Sequence, residues 1–143
     1  MNDNVLNKKE VRFNSLKDAH KRLCELLNED ISTQNEVIKK GIMDGTIQRF
    51  EFTFELMWKV LKEYMESAGF SDFVQGPKGV LKFAYKNSII EDEEVYSSML
   101  EDRNSTTHLY NEEKSKEIYI NIKEKYVFAI EKLIKYLEKN YLI

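Results

Sequence analysis

The sequence is poor in the residues that interrupt helices. It has one proline and five glycines in 143 residues. Because proline and glycine are the strongest punctuators of secondary structure, a chain with so few of them has few turns. This scarcity argues against a turn-rich fold and favours a mostly helical one.

Cysteine, long apolar runs and excess positive charge are also scarce. A single cysteine, Cys24, excludes an internal disulfide framework and is compatible with a reducing cytoplasm. No run approaches the roughly 20 apolar residues of a membrane span, and the first residues contain no hydrophobic segment of the signal-peptide type. The net charge of −3 excludes a strongly basic nucleic-acid footprint, although a local patch stays open. We therefore expect a cytoplasmic protein with no membrane partner.

The residues that are present suit one folded domain. Apolar residues make up 42% of the chain and charged residues 33%. A chain of this length buries roughly 68–70% of its unfolded surface, so it needs no disulfide or metal to fold. We expect residues 1–143 to form a single domain.

Apolar residues recur in steps of three and four, which is the period of an amphipathic helix. The first such stripe predicts a helix from about Glu10 to Asn28. The polar residues before Glu10 are expected to lie outside it. Two more stripes follow along the chain. In order, the three stripes contain Phe13, Leu16, Ala19, Leu23, Leu26 and Leu27; Ile47, Phe50, Phe54, Met57 or Trp58, Leu61, Met65 and Ala68; and Ile118, Ile122, Tyr126, Ala129, Leu133 and Leu137.

The second stripe gives the strongest helical pattern. Gly69 follows its last apolar residue and is the expected C-terminal stop. Gly41 and Gly45 weaken the pattern upstream, so a start near Asn35 and a start near Thr46 both remain open.

Local signals divide the rest of the chain into shorter helices. Pro77 suits the first turn of a short helix that ends at Asn87-Ser88. The acidic residues 91–94 suit the first turn of the next helix, where the helix dipole favours negative charge. Asn111 is the expected cap of the final helix.

The second and final stripes each have a further apolar column beside them, including Phe52, Leu56 and Val60 in the second helix. Such faces are broader than one bundle seam requires. We therefore predict an all-α, antiparallel up-and-down bundle, with a four-helix core and one short extra helix, that forms a homodimer.

Residues 103–110, with the sequence RNSTTHLY, differ from these helical patterns. Asn, Ser and Thr are poor helix formers because their short polar side chains compete for backbone groups. On a continuous helix Arg103 and His108 would lie about 140° apart, on different faces. If the helix unwinds at residues 105–107, both side chains can face one pocket, together with Tyr110.

These three residue types suit a site centred on phosphate. Arginine offers a permanent charge and a two-pronged donor for phosphate oxygens. Histidine titrates near neutrality, so His108 can accept a proton from an attacking 2′-hydroxyl or donate one to a leaving oxygen without a metal. The simpler alternative stays open: an arginine at a helix end often caps carbonyls or pairs with acids, and Glu101 and Asp102 are adjacent.

Two further clusters allow a chemical and a structural interpretation. Glu51 and Glu55 lie one helical turn apart and could act as acid and base or hold a metal, but a solvated face with a Glu55–Lys59 pair explains them more simply. His20 and Cys24 are also one turn apart, yet they fall short of a four-ligand metal site, so we expect ordinary packing and no metal.

Two longer strings resemble a known family. Residues 48–59, QRFEFTFELMWK, and residues 99–113, MLEDRNSTTHLYNEE, are similar to the two signatures of the nucleotidyltransferase substrate-binding protein family, a branch of the HEPN superfamily. The second signature is Arg-x4-His-x-Tyr. The resemblance extends from about Arg12 to Leu137, and it departs from many relatives at Asn87-Ser88, where they have a glycine turn.

The resemblance implies a dimeric helical bundle whose partner is a minimal nucleotidyltransferase. In one view of such pairs the helical subunit is a non-catalytic module that binds the nucleotide or substrate. In the other it is the toxin of a toxin–antitoxin pair, an endoribonuclease that needs no metal or other cofactor, with a composite site at the dimer interface. The partner then neutralises the toxin by attaching AMP to a tyrosine.

The resemblance also implies roles for individual residues. Arg103 would stabilise the scissile phosphate, His108 would be the general acid and base, and Asn104 would support the site. Tyr110 would be the residue that receives AMP. Glu51, Glu55 and Asp102 are candidates for lining the binding groove, and RNA or a nucleotide is the expected ligand.

Overall fold

The computed structural model describes residues 3–106 and 111–141, with side chains from residue 8 onward. Helix α1 spans Asp3–Leu27, and a short 3-10 turn at Ile31–Thr33 leads to the long α2, Glu36–Ser67. Two shorter helices follow, α3 at Pro77–Lys86 and α4 at Glu93–Ser105. Helix α5, Glu112–Asn121, continues through a π-helical segment, Ile122–Tyr126, into α6, Val127–Asn140.

The predicted all-α antiparallel bundle is confirmed: the described residues are helical, with no strand among them. Helix α2 packs against α1, α3, α4 and α5, and α1 also packs against α6. The short extra helix is α3. The predicted homodimer stays a prediction.

Helix α2 begins at the earlier of its two possible starts. Asn35 is its N-cap, and the Asn35 Oδ1 atom accepts a hydrogen bond of 3.0 Å from the Ile38 amide. Gly41 and Gly45 are therefore inside the helix. A methyl group built on Gly45 would lie 3.3 Å from Leu26 Cδ1, so this glycine lets α1 and α2 approach closely.

The predicted stop at Gly69 is confirmed. Gly69 has a φ of 97°, and the amides of Gly69 and Phe70 donate to the carbonyls of Glu66 and Met65 at 3.1 and 3.0 Å. This is the Schellman arrangement, in which a left-handed residue lets the chain satisfy the last helical carbonyls.

The other local signals are also confirmed, with two differences: α4 begins at Glu93 with Asp92 as its N-cap, so Glu91 lies before the helix, and α1 starts earlier than predicted. Pro77 lies in the first turn of α3, and Asn111 caps α5 through a hydrogen bond of 2.8 Å from the Glu113 amide. Ser88 takes a φ of 58°, the conformation that glycine would adopt most easily. Helix α1 begins at Asp3 and not near Glu10, because a nucleated helix propagates through residues that contain no breaker.

The core lies along α2. Phe13, Phe50 and Phe54 are fully buried, as is Tyr126 from the π-helical segment. No described helix combines the length and the apolar character that a bilayer crossing requires.

Candidate functional site

Helix α4 ends within the stretch 103–110, whose Asn, Ser and Thr residues have low helix propensity. The helix stops at Ser105, and the hydroxyls of Ser105 and Thr106 donate to the carbonyls of Asp102 and Arg103 at 2.9 and 2.7 Å. Short polar side chains thus add hydrogen bonds to the carbonyls of the last helical turn. The prediction that regular helix ends just past Asn104 is confirmed. His108 and Tyr110 lie outside the described residues.

Arg103 faces α2 from the last turn of α4. Its guanidinium forms an ion pair with Glu55 and lies over the Phe54 ring, 5.7 Å from the ring centroid. The Arg103 Nη1 atom donates to Asn104 Oδ1 at 3.1 Å. The Arg103 side chain keeps 29% of its exposure, so a ligand can still reach the guanidinium.

The Glu55 carboxylate interacts with three cationic or polar donors. Besides Arg103, Trp58 Nε1 donates to Glu55 Oε2 at 3.2 Å, and Lys59 Nζ lies 3.7 Å from that oxygen. The Lys59 contact expected from sequence is therefore present, and the Arg103 contact is additional. Glu51, one turn earlier, is partly exposed and makes no ion pair with another described residue.

Asp102 is turned away from Arg103 and into the protein. It is 6% exposed, and its Oδ2 atom accepts hydrogen bonds from the Tyr126 hydroxyl at 2.5 Å and from Asn121 Nδ2 at 3.1 Å. Lys114 Nζ approaches the other carboxylate oxygen at 3.8 Å. Asp102 was expected to line the groove; the structure places it beneath Arg103, and its role there stays a prediction.

Tyr126 links this carboxylate to the core. Its ring stacks on Phe50 with centroids 5.4 Å apart and an interplanar angle of 24°. Burial, followed by the hydrogen bond to Asp102, raises the pKa of Tyr126 well above its ordinary value. The hydroxyl therefore stays protonated and donates to the carboxylate.

Sequence reasoning missed the polar contacts of Tyr126, Asn121 and Lys114. The available signal was that a buried tyrosine needs a partner for its hydroxyl. The sequence placed Tyr126 on the buried stripe but offered no means of choosing that partner, because the partner is 24 residues away.

His20 and Cys24 pack as expected. His20 Nε2 lies 2.9 Å from the Val127 carbonyl oxygen and donates to it, and the Cys24 sulfur is 3.9 Å from the ring. Within residues 3–106 and 111–141 no group of three or more His, Cys, Asp or Glu side chains could hold a metal.

The chemistry available at the end of α4 is anion binding. A guanidinium has five N–H donors, and Glu55 and Asn104 occupy only some of those of Arg103. A phosphate group could bind the remaining donors or compete with Glu55 for the cation.

Comparison with known proteins assigns the chain to a family. The model of nucleotidyltransferase substrate binding protein-like proteins matches residues 11–139. The chain belongs to this family, and the resemblance inferred from sequence is confirmed.

Three relatives illustrate the similarity. A probable ribonuclease HepT of Haemophilus influenzae is 28% identical over 92 residues, which cover 62% of this chain and 63% of that protein. The match thus spans less than two thirds of the relative's length. A protein of Thermus thermophilus is 30% identical, with a TM-score of 0.72 over 85% of this chain and 98% of its own. A Haemophilus influenzae structure, described as revealing the fold of a substrate binding domain of a nucleotidyltransferase, is 25% identical, with a TM-score of 0.65 over 93% and 98%.

Proposed function

We propose that this chain is the helical subunit of a toxin–antitoxin pair, with a minimal nucleotidyltransferase as partner, and that it cleaves RNA without a metal. The observation that carries the proposal is the position of Arg103. Its partly exposed guanidinium lies on the last turn of α4, and His108 follows five positions later in the sequence. Residues 1–143 act as one bundle domain. RNA and ATP are cytoplasmic molecules, so the pair would work in that compartment.

In this mechanism Arg103 binds the scissile phosphate and stabilises the charge that develops on its oxygens. His108 accepts the proton of the attacking 2′-hydroxyl and then returns a proton to the leaving 5′-oxygen. Asn104 holds one edge of the guanidinium by accepting a 3.1 Å hydrogen bond from Arg103 Nη1. No cofactor takes part.

A second copy of the chain is proposed to complete this site. Phe52 is 63% exposed, and it lies three residues before Glu55 on α2, hence on the neighbouring turn. An exposed phenylalanine beside the carboxylate that holds Arg103 is a surface that a second copy would cover. Phe52→Glu should shift the protein from dimer to monomer in analytical ultracentrifugation, whereas Val74→Glu, at an exposed loop position, should not. A wild-type monomer, or a dimer that survives Phe52→Glu, would contradict this arrangement.

Tyr110 is proposed as the residue that the partner modifies. Incubation with the cognate nucleotidyltransferase and ATP should add one or more AMP groups, visible in the intact mass. Tyr110→Phe should remain unmodified, while Tyr85→Phe, at a tyrosine exposed on α3, should be modified as the wild type is. An unchanged wild-type mass, or modification of Tyr110→Phe, would count against this role.

The two histidines provide a direct test of RNA cleavage. Purified protein is incubated with RNA and a chelator, and compared with His108→Ala and His20→Ala. We expect the wild type and His20→Ala to cleave, since His20 contacts the Val127 carbonyl and Cys24 and not Arg103, and His108→Ala to be inactive. Cleavage by all three proteins, or by none, would remove the ribonuclease assignment.

A second candidate function is a non-catalytic module that binds a nucleotide or the substrate of the partner. The ion pair with Glu55 favours this alternative, because it already neutralises Arg103 in a chain of net charge −3. It predicts nucleotide or RNA binding that Arg103→Ala abolishes, together with no cleavage by the wild type. Isothermal titration calorimetry measures the binding, and the cleavage assay on the same samples separates the two functions.

A further inference from the structure

We propose that Asp102 is a positioning residue for Arg103, acting through its hydrogen bonds to the Tyr126 hydroxyl and Asn121. This inference rests on the proposed function for its catalytic consequence, but its structural part can be tested without any activity. Asp102 touches no ligand in this scheme. It sets the direction in which its neighbour on the last turn of α4 presents the guanidinium.

The burial of this carboxylate calls for an explanation. Thr46, Thr53 and Asp102 are the buried polar side chains among the described residues, and Asp102 is the single acid among them. Both threonines donate to a carbonyl of their own helix, at 2.7 Å each. Asp102 instead forms its contacts with other elements. Replacing a buried ionic group by apolar packing is often neutral or stabilising, so stability alone does not account for an acid here.

The contacts of Asp102 connect the two ends of the segment that contains the motif. Asp102 belongs to the last turn of α4, whereas Lys114 lies in the first turn of α5 and Asn121 at its end. Residues 107–110 lie between these helices. One carboxylate thus fixes where the chain leaves α4 and where it enters α5.

The π-helical segment places Tyr126 for this contact. An extra residue in one turn rotates everything after it by about 100° relative to a regular α-helix. Tyr126 is the last residue of that segment, and its ring stacks on Phe50 while its hydroxyl donates to Asp102 at 2.5 Å. The donor hydroxyl therefore belongs to a residue that is packed in the core. It holds the last turn of α4 by a short hydrogen bond to Asp102.

The hydrogen bonds of Asp102 affect the direction of the Arg103 side chain, because Arg103 is the next residue on the same turn. Consecutive helical residues point about 100° apart, so a turn held by Asp102 on its inner side directs Arg103 toward Phe54 and Glu55 on α2. If the turn rotates, the guanidinium moves relative to His108 and the phosphate. A misplacement of about 1 Å in a catalytic group can lower the rate about 100-fold.

The test compares Asp102→Asn and Tyr126→Phe with Glu101→Gln, an exposed neighbour that serves as the control. Both test substitutions nearly preserve shape, so we expect folded proteins by circular dichroism. The Arg103 Nε–H signal in NMR should shift in both and stay unchanged in Glu101→Gln. For RNA cleavage we expect kcat to fall about 10- to 100-fold with KM within about twofold. The double variant should be no worse than the more severe single variant.

The two readouts separate this inference from the proposed function. If the wild type cleaves no RNA, the ribonuclease assignment fails, and the Arg103 signal alone decides the positioning role. An Arg103 signal unchanged in both variants would overturn the inference, whatever the melting temperatures. So would an active wild type whose kcat is unchanged in both variants.

Discussion

Two tyrosine clusters in this bundle satisfy their hydroxyls in different ways. In the Tyr126 cluster (Phe50, Asp102 and Tyr126) the hydroxyl donates to a buried carboxylate beneath the last turn of α4. In the Tyr64 cluster (Tyr64, Tyr136 and Tyr141) two hydroxyls pair with each other at 2.8 Å. The rings of the Tyr64 cluster meet edge-to-face, with centroids 5.6 Å apart.

The difference shows what packing requires and what it does not. Aromatic rings and a neutral hydroxyl pair are sufficient to join α2 to α6 in the Tyr64 cluster. A buried carboxylate is not needed for that purpose, and its desolvation is costly. A buried carboxylate is present next to Arg103 and absent from the Tyr64 cluster. This difference supports a positioning role for Asp102.

The largest expected effect on the free energy of unfolding comes from Phe50, the core residue of the Tyr126 cluster. Phe50 is fully buried and contacts both Phe54 and Tyr126. Phe50→Ala should lower the free energy of unfolding by about 4 kcal/mol, because it removes a large buried ring and leaves a cavity. Val37→Ala, at an 81% exposed position of the same helix, should change it by less than about 0.5 kcal/mol. Urea denaturation measures both, and similar values for the two variants would contradict the packing described.

A smaller but still large effect is expected from Asp102→Ala. The substitution leaves the buried Tyr126 hydroxyl and the partly buried Asn121 amide without their acceptor, which should cost about 3 kcal/mol. Glu101→Ala, one residue earlier and exposed, is the matched control and should have little effect. A loss no larger than that of the control would show that the hydrogen bonds to Asp102 are unimportant for stability.

The smallest effect is expected in the Tyr64 cluster. Tyr64→Phe removes half of a neutral hydroxyl pair and should cost about 1 kcal/mol in urea denaturation at neutral pH. A cost equal to that of Asp102→Ala would erase the contrast between the clusters.

The raised pKa of Tyr64 predicts that stability depends on pH. Burial and the hydrogen bond to Tyr136 raise the pKa of Tyr64 from 10.0 to about 12, so the folded protein retains a proton that the unfolded chain loses first. This contribution to stability is complete below pH 10 and is lost as the pH rises toward 12. Tyr64→Phe should therefore show a shallower fall in the free energy of unfolding across this window. An identical slope in the wild type would show that Tyr64 does not contribute.

The sequence predicted the helices well because their signals are local. Gly69, Pro77 and Asn111 act through their own backbone or the adjacent turn, so their positions alone were informative. The start of α2 stayed open because two glycines lower helix propensity, and packing of α1 against Gly45 outweighs that loss. The start of α1 was placed too late because the apolar stripe is shorter than the helix.

The candidate site was predicted only in part. Arg103, Asn104 and the end of α4 followed from residue types and from the family resemblance. The burial of Asp102 did not, because it depends on Tyr126 and Asn121, which are distant in sequence. The pairing of Arg103 with Glu55 was missed for the same reason: it crosses from α4 to α2, and the helical spacing of Glu55 pointed only to Lys59.

We propose that this protein binds RNA or a nucleotide at the end of α4. The most direct measurement is an NMR titration of the protein with a short single-stranded RNA oligonucleotide, following the Arg103 guanidinium and the Phe54 ring against the rings of Tyr64 and Tyr136. We predict saturable shifts at Arg103 and Phe54 and none in the Tyr64 cluster. Shifts confined to the Tyr64 cluster, or no shifts at Arg103 at saturating RNA, would show that RNA does not bind at the end of α4.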